Sequence, residues 1–142
     1  MQTMSGSCLC TACTFTASPV EMEAGACHCG ICRKWSGGIN MAVHCKDVVW
    51  NDDAPLLRYA SSDWAERLSC RTCGSNLSYH SLDAPQSEHV ISLGAFLEPE
   101  KFPVMSEIFI DEKPETFALA GIQKSMTGAE VFAMYAPEGE AT

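Results

Sequence analysis

The sequence predicts a small, mainly β domain, in which an antiparallel sheet is stapled by closely spaced cysteines and followed by a short helix near the carboxyl end. Three observations support this fold class. Short stretches of alternating apolar and polar residues recur along the chain, separated by Gly, Pro, Asn and Asp. Seven of the nine cysteines fall into three tight groups. Thr127 and Glu130 have the spacing of a capping box, which begins a helix.

The alternating stretches are short and lie between turn residues, which is typical of antiparallel strands. The predicted strands are Cys10 to Ala17, Ile39 to Cys45, Pro55 to Ala60, Ala65 to Ser69, Leu77 to Ser81, His89 to Leu93 and Glu107 to Ile110. A short helical turn is predicted inside the glycine-bounded segment Cys27 to Gly38. The carboxyl-terminal helix is predicted to run from Ala129 to Ala136 and to end at Pro137, with Val131, Met134 and Tyr135 packed on the sheet.

Composition limits the classes of function. The chain has 142 residues, of which 46% are apolar and 19% charged, so we expect one globular domain spanning residues 1–142. Its formal net charge of −9 would repel phosphates, which argues against binding to nucleic acid or to anionic membranes. The first residues lack the apolar run of a signal peptide, and no later stretch reaches membrane-spanning length. We therefore expect a cytoplasmic protein.

The clustered cysteines indicate metal binding. In the cytosol thiols stay reduced, and seven is an odd number for a disulfide framework. Seven thiolates suit one closed site of four ligands and one site of three ligands that keeps a coordination position open, which are the two usual forms of zinc site. The groups are Cys8 with Cys10, Cys27 with Cys29 and Cys32, and Cys70 with Cys73. The sequence therefore predicts two zinc ions per chain.

Local spacing suggests how the two pairs of cysteines are presented. In an extended strand Cys8 and Cys10 project to the same side, and Leu9 is then expected to point into the packing. Cys70 and Cys73, followed by a glycine, are typical of a tight zinc-binding turn. Spacing alone does not decide which pairs share a metal, because the three-cysteine group could equally borrow ligands from the Cys70 group.

Three further residues carry side chains that can bind a metal. His28 lies between two cysteines and is an alternative fourth ligand for the three-cysteine group, against a role as a surface or outer-sphere histidine. Cys13 and Cys45 lie in apolar alternating segments and are predicted to be small buried residues. If Cys13 were a ligand, the division into two sites would change.

The motifs together resemble the glutathione-dependent formaldehyde-activating enzyme family, also described as a centromere protein V-type zinc domain. The matching segments are Gly6-Ser-Cys8-Leu-Cys10, Cys27-His-Cys29-Gly-Ile-Cys32-Arg-Lys-Trp-Ser-Gly-Gly38 and Cys70-Arg-Thr-Cys73-Gly74, and the resemblance covers about residues 5–136. It implies a small zinc-bound β fold similar to a Rab guanine-nucleotide exchange factor. It also implies a structural zinc on Cys8, Cys10, Cys70 and Cys73, and a catalytic zinc on Cys27, Cys29 and Cys32.

The activity implied by the resemblance is that of a carbon-sulfur lyase, which joins formaldehyde to glutathione as S-hydroxymethylglutathione. The expected partners are therefore a small thiol and an aldehyde. Arg33 and Lys34 are candidate partners for the substrate carboxylates, although they are equally typical of a solvated surface, and Trp35 is a candidate pocket wall or core residue. The alternative function is a non-catalytic, zinc-stabilised protein-binding domain, which a fourth protein ligand at the three-cysteine group would favour.

Besides Ser69, which stands where the family often has an aromatic residue before the later cysteine pair, two positions depart from the family pattern. Thr11 stands where the family usually has glycine after the first cysteine pair. After Lys113-Pro114 the chain continues as Glu115-Thr116-Phe117, without the tryptophan of the family's Ser-Lys-x-Pro-Trp segment. The second departure bears on the identity of the substrate more than on the zinc chemistry.

Overall fold

The structure is a computed structural model that describes residues 2–135. Strands are its main regular elements, and the described chain divides into two compact units: residues 2–24 with 42–103, and residues 25–41 with 104–135. The expectation of one domain over residues 1–142 stays a prediction. No helix in residues 2–135 has both the length and the apolar character needed to cross a membrane.

Ten strands, two α-helices and three short 3-10 helices (Leu93–Ala95, Pro99–Lys101 and Ile110–Glu112) make up the regular structure of the described residues. The strands are β1 (Met4–Ser7), β2 (Thr14–Pro19), β3 (Ala24–Cys27), β4 (Asn40–Trp50), β5 (Leu56–Ala60), β6 (Ala65–Cys70), β7 (Asn76–Ser81), β8 (His89–Ser92), β9 (Val104–Ile108) and β10 (Lys124–Met126). The helices are α1 (Gly30–Ser36) and α2 (Gly128–Tyr135). The mainly β prediction with a short carboxyl-terminal helix is thus confirmed.

The first unit is an antiparallel sheet in which the strands follow the order β5-β6-β7-β8-β4-β2-β1. Leu68 on β6, Leu77 on β7 and Ile91 on β8 are fully buried. Phe15 adds an edge-on contact with Phe96, their ring centroids being 5.4 Å apart. Each such apolar side chain contributes about 2 kcal/mol to stability on burial. Cys8 and Cys10 lie in the turn between β1 and β2, and Cys70 and Cys73 lie at the end of β6 and in the turn that follows it.

In the second unit the strand order is β10-β9-β3, and β10 pairs with β9 in parallel. The all-antiparallel prediction is therefore wrong here. Residues 109–123 separate the two strands, and a connection of about a dozen residues is long enough to bring the chain back to the same end. Gly37, with a φ of +79°, ends α1 by donating its N–H to Arg33 O.

The helix α2 begins as predicted. The N–H of Thr127 donates to Glu130 Oε1 at 3.0 Å, and the N–H of Glu130 donates to Thr127 Oγ1 at 3.2 Å, which completes a capping box. Val131 is buried, but Met134 is exposed, so its predicted packing on the sheet is wrong. The predicted helix end at Ala136 and Pro137 lies outside the described residues.

The structure corrects two of the predicted strand bounds and adds three strands. The strand expected from Cys10 begins only at Thr14, because residues 8–13 form a turn around the first cysteine pair. The strand expected to reach Ile110 ends at Ile108, because Phe109 has a left-handed φ of +57° that breaks the extended backbone. The strands β1, β3 and β10 were not predicted.

Candidate metal centres

Four cysteine sulfurs come together in the first unit. The Sγ atoms of Cys8, Cys10, Cys70 and Cys73 all lie within 4.8 Å of one another. The Sγ atoms of Cys8 and Cys10 are 3.6 Å apart, and those of Cys10 and Cys70 are 3.7 Å apart. Four sulfurs held about 2.3 Å from a tetrahedral zinc lie about 3.8 Å from each other. The donor set and its spacing therefore fit a closed zinc site. Sequence spacing did not decide which cysteine pairs share a metal, and the structure brings the first pair together with Cys70 and Cys73.

The turn after β6 presents two of these sulfurs. Gly74 has a φ of +78°, and its N–H donates to Cys70 O at 2.9 Å, which closes the turn. The N–H groups of Cys73 and Thr72 donate to Cys70 Sγ and lower the pKa of that thiol. The Ser75 hydroxyl lowers the pKa of Cys73 to about 5. Both donors favour the thiolate form, which is the form that binds zinc.

The first cysteine pair is held by a turn instead of the predicted strand. Thr11 has a φ of +66°, and its N–H donates to Cys8 O at 3.2 Å. Leu9 is 85% exposed, so the prediction that it packs in the interior is wrong. Its N–H donates to Ser75 Oγ at 2.9 Å, which joins the two turns that carry the four sulfurs.

Cys13 and Cys45 are buried, as predicted. Burial raises the pKa of each of these two thiols to about 12, so both stay protonated. Cys13 lies outside the four-sulfur group, although its N–H donates to Cys8 Sγ at 3.3 Å. Its backbone therefore supports a candidate ligand while its own sulfur is not in the ligand set.

The second unit brings together the other three sulfurs. The Sγ atoms of Cys27, Cys29 and Cys32 lie within 4.8 Å of one another, at the end of β3 and the start of α1. Cys29 is the N-cap of α1, and its Sγ accepts the N–H of Cys32 at 3.4 Å. The side chain of Asn40 is buried and donates to Cys32 Sγ at 3.6 Å. Asn40 was not predicted as part of the site, since its place next to Cys32 depends on the tertiary fold.

The three thiols are crowded together. Hydrogen bonds with the thiols of Cys29 and Cys32 raise the pKa of Cys27, and burial raises it further. Three thiolates so close together repel one another, and a divalent cation among them reverses that balance. Three sulfurs leave one position of a tetrahedral zinc to be filled from outside the cysteine group. The donor set thus fits zinc with an open position.

His28 is not grouped with these sulfurs. Within residues 2–135, the cluster of candidate metal-binding side chains in this unit consists of the three cysteines. The imidazole of His28 is fully buried, and its Nε2 lies 2.8 Å from Glu107 Oε1 on β9. The alternative in which His28 completes the ligand set is therefore not supported by the geometry.

The predicted substrate-binding residues lie on α1, directly after Cys32. Arg33 is half-buried, and its Nε donates to His28 O at 3.0 Å. Lys34 is exposed and Trp35 is half-buried. A carboxylate also lies close to this helix, since Glu112 Oε1 accepts the N–H of Gly30 at 3.1 Å in the first turn. The bases lie on α1 and the carboxylate of Glu112 lies at its first turn, and a role of the bases in binding substrate stays a prediction.

The segment that departs from the family pattern packs near His28. Lys113 Nζ donates to the main-chain oxygens of Pro114 and Phe117, and it lies 4.7 Å from the centroid of the Phe117 ring. The Phe117 ring is 5.9 Å from the imidazole of His28, measured between centroids. An aromatic side chain of this segment therefore packs against the buried histidine.

Comparison with known proteins decides the family. The profile of the glutathione-dependent formaldehyde-activating enzymes matches residues 3–112, which is most of the chain. The protein belongs to this family. A protein of Schizosaccharomyces pombe that is named an uncharacterized lyase is 32% identical over 128 residues, covering 89% of this chain and 92% of its own length.

A crystal structure of a Rhodobacter sphaeroides protein has a similar fold. Its TM-score is 0.57 at 19% sequence identity, and the match covers 87% of this chain and all of that one. At this identity the similarity concerns the fold alone. The likeness to a Rab guanine-nucleotide exchange factor stays a prediction, and so does the cytoplasmic location.

Proposed function

We propose that the protein is a zinc-dependent carbon-sulfur lyase that acts on a small thiol and an aldehyde. Membership of the formaldehyde-activating family and a relative named as a lyase support an enzyme of the lyase type. Glutathione and formaldehyde, which the family name indicates, are the proposed substrates. The observation that carries the proposal is the group of three sulfurs within 4.8 Å of one another, one ligand short of a tetrahedral zinc site.

In this proposal the two cysteine groups have different roles. Cys8, Cys10, Cys70 and Cys73 hold a structural zinc that ties the amino-terminal turn to the turn after β6. Such a site contributes on the order of 10 kcal/mol to folding. The three cysteines Cys27, Cys29 and Cys32 hold the catalytic zinc and leave its fourth position to the substrate. Zinc bound there lowers the pKa of a thiol and presents it as a nucleophilic thiolate near neutral pH.

The reaction is an addition without redox change. The sulfur of the thiol bonds to the carbonyl carbon of the aldehyde, and the thiol proton ends on the carbonyl oxygen, so that a hydroxymethyl thioether forms. The reverse step is the lyase reaction. Asn40 donates to Cys32 Sγ and thereby holds this ligand in place. Arg33 and Lys34 are the proposed partners of the substrate carboxylates, and Trp35 is proposed to wall the pocket.

An NMR exchange assay tests the function directly. The rate at which formaldehyde exchanges with its glutathione adduct is measured with and without the protein, and a panel of other thiols is tested in parallel. The spontaneous reaction is the baseline, since this addition also proceeds without an enzyme. We expect an enhanced rate for at least one thiol, and we expect Cys29→Ser to return the rate to the baseline. No enhancement for any thiol would leave the zinc-stabilised protein-binding domain as the better interpretation.

Metal content provides an independent test. Protein purified without chelator is expected to contain two zinc ions per chain, because the two sulfur groups are separate. One zinc or none in metal analysis would contradict the proposal. Cys29→Ser is expected to lose one of the two ions, and its circular dichroism spectrum serves as the control for folding.

A further inference from the structure

A buried polar pair lies beside the three cysteines and has no part in the proposed chemistry. His28 is 0% exposed, and the Glu107 side chain is 13% exposed. Nε2 of His28 and Oε1 of Glu107 are 2.8 Å apart. A carboxylate only accepts hydrogen bonds, so Nε2 carries the hydrogen and donates it. The pair joins the loop between β3 and α1 to the strand β9.

The backbone of the same residue is fixed from two further directions. The N–H of His28 donates to Ile108 O at 3.1 Å, and the O of His28 accepts Arg33 Nε at 3.0 Å. Its neighbours in the chain are Cys27 and Cys29, which carry two of the three sulfurs. Whatever holds His28 in place therefore also holds the main chain from which both sulfurs extend.

The imidazole is retained although one of its nitrogens is poorly served. Nδ1 of His28 is buried and has no hydrogen-bond partner among the described residues, while the Phe117 ring packs 5.9 Å from the imidazole centroid. Burying a polar atom without a partner costs stability, and an apolar side chain of similar size would avoid that cost. The bond at Nε2 is the interaction that an apolar side chain at this position would lose.

We propose that His28 and Glu107 are a positioning pair for the three-cysteine site. The hydrogen bond from Nε2 to the carboxylate sets the orientation of the imidazole, and the buried ring in turn fixes the spacing of Cys27 and Cys29. Neither residue contacts the metal or the substrate in this proposal. The inference rests on the proposed function in one respect only, namely that the three cysteines bind a metal.

Cobalt(II) binding to the full-length chain tests the pair. Apo protein is loaded with Co²⁺, and chelator competition gives the affinity of each site. The absorption bands of the cobalt site that disappear in Cys29→Ser identify the three-cysteine site. We expect Glu107→Ala to weaken Co²⁺ binding there by about 10-fold and to alter those bands. This is the lower end of the loss usual for a group that hydrogen-bonds a ligand directly, because Glu107 acts on the ligands through His28. The four-cysteine site is the internal control and keeps its affinity.

Two further variants separate positioning from general stability. Glu107→Gln keeps an oxygen that accepts from Nε2 and is expected to restore most of the affinity. His28→Phe keeps a buried ring without the donor and is expected to weaken Co²⁺ binding as much as the loss of Glu107 does. It also provides the test if Glu107→Ala does not fold. The matched control is Glu66→Ala, since Glu66 Oε2 lies 2.9 Å from Nδ1 of the buried His80 in the first unit, and it should leave the three-cysteine site unchanged.

The outcomes distinguish this inference from the proposed function. If the wild-type chain takes up only one Co²⁺, both fail. If it takes up two ions and accelerates the thiol reaction, but Glu107→Ala and His28→Phe bind Co²⁺ as the wild type does, the positioning pair alone is wrong. Equal weakening by Glu107→Ala and Glu66→Ala would also overturn it, because the effect would then be general destabilisation.

Discussion

Replacing Thr11 by glycine is expected to stabilise the protein. Thr11 has a φ of +66°, a left-handed conformation that costs a residue with a Cβ about 1–2 kcal/mol. Glycine removes this cost but adds about 0.5–1 kcal/mol of conformational entropy loss on folding. The side chain of Thr11 is exposed, and the hydrogen bond of the turn runs from its main-chain N–H to Cys8 O at 3.2 Å, so the substitution removes no packing and no bond. The expected gain is therefore about 1 kcal/mol.

Thermal unfolding of the zinc-loaded protein measures this effect. For a chain of this size, about 1 kcal/mol raises the Tm by roughly 3 °C. Thr16→Gly is the matched control, because Thr16 is also exposed but lies in the extended strand β2, where glycine lowers stability by roughly 0.5–1 kcal/mol. A Tm that falls in Thr11→Gly as it does in Thr16→Gly would refute the claim that the backbone at Thr11 is strained.

Three other predictions concern packing, protonation and metal. Gly6→Ala is expected to lower the Tm strongly, because a methyl group there overlaps a main-chain oxygen and an aromatic ring, whereas Gly94→Ala meets open space and serves as control. Burial lowers the pKa of His89 to about 4, so between pH 6.5 and 4 the unfolded chain binds more protons than the folded one. The free energy of unfolding should therefore decrease as the pH is lowered from 6.5 to 4. Urea unfolding of His89→Gln should show a smaller fall, and an equal fall would contradict the assignment. Cys73→Ser is expected to prevent stable folding, whereas Cys29→Ser is expected to stay folded. The circular dichroism spectra of the two variants test this difference.

Sequence spacing located both groups of cysteines, because the i, i+2 and i, i+3 intervals are local. It did not decide that Cys8 shares a site with Cys70, since that pairing spans 62 residues and depends on where β6 ends. The sequence also did not predict which residues support the cysteines and His28. Asn40 and Glu107 have no distinctive local pattern, and only the fold brings them beside Cys32 and His28.

The strands divide along a similar line. In β2 the buried Phe15 and Ala17 alternate with exposed Thr14 and Thr16, so the period of two is visible in the sequence. β1 and β3 consist of Met-Ser-Gly-Ser and Ala-Gly-Ala-Cys, whose small side chains give little contrast between the buried and the exposed face. Backbone pairing, and not hydrophobic pattern, makes these segments strands. Gly6 in β1 shows why they must stay small, since a larger residue meets the ring of Phe15.

The surroundings of the two cysteine groups differ in how they affect the pKa values of individual thiols. In the four-cysteine group, peptide N–H groups and the Ser75 hydroxyl lower the pKa values of Cys70 and Cys73, so negative charge on these two sulfurs is stabilised before a cation arrives. Burial and the neighbouring thiols act the other way on Cys10 and raise its pKa to about 12. In the three-cysteine group, neighbouring thiols raise the pKa of Cys27, so the ligand set depends more on the cation itself. At a given pH, protons therefore compete with zinc more strongly for Cys27 than for Cys70 and Cys73. In the proposed function, the fourth position that the three cysteines leave open is where a substrate thiol enters.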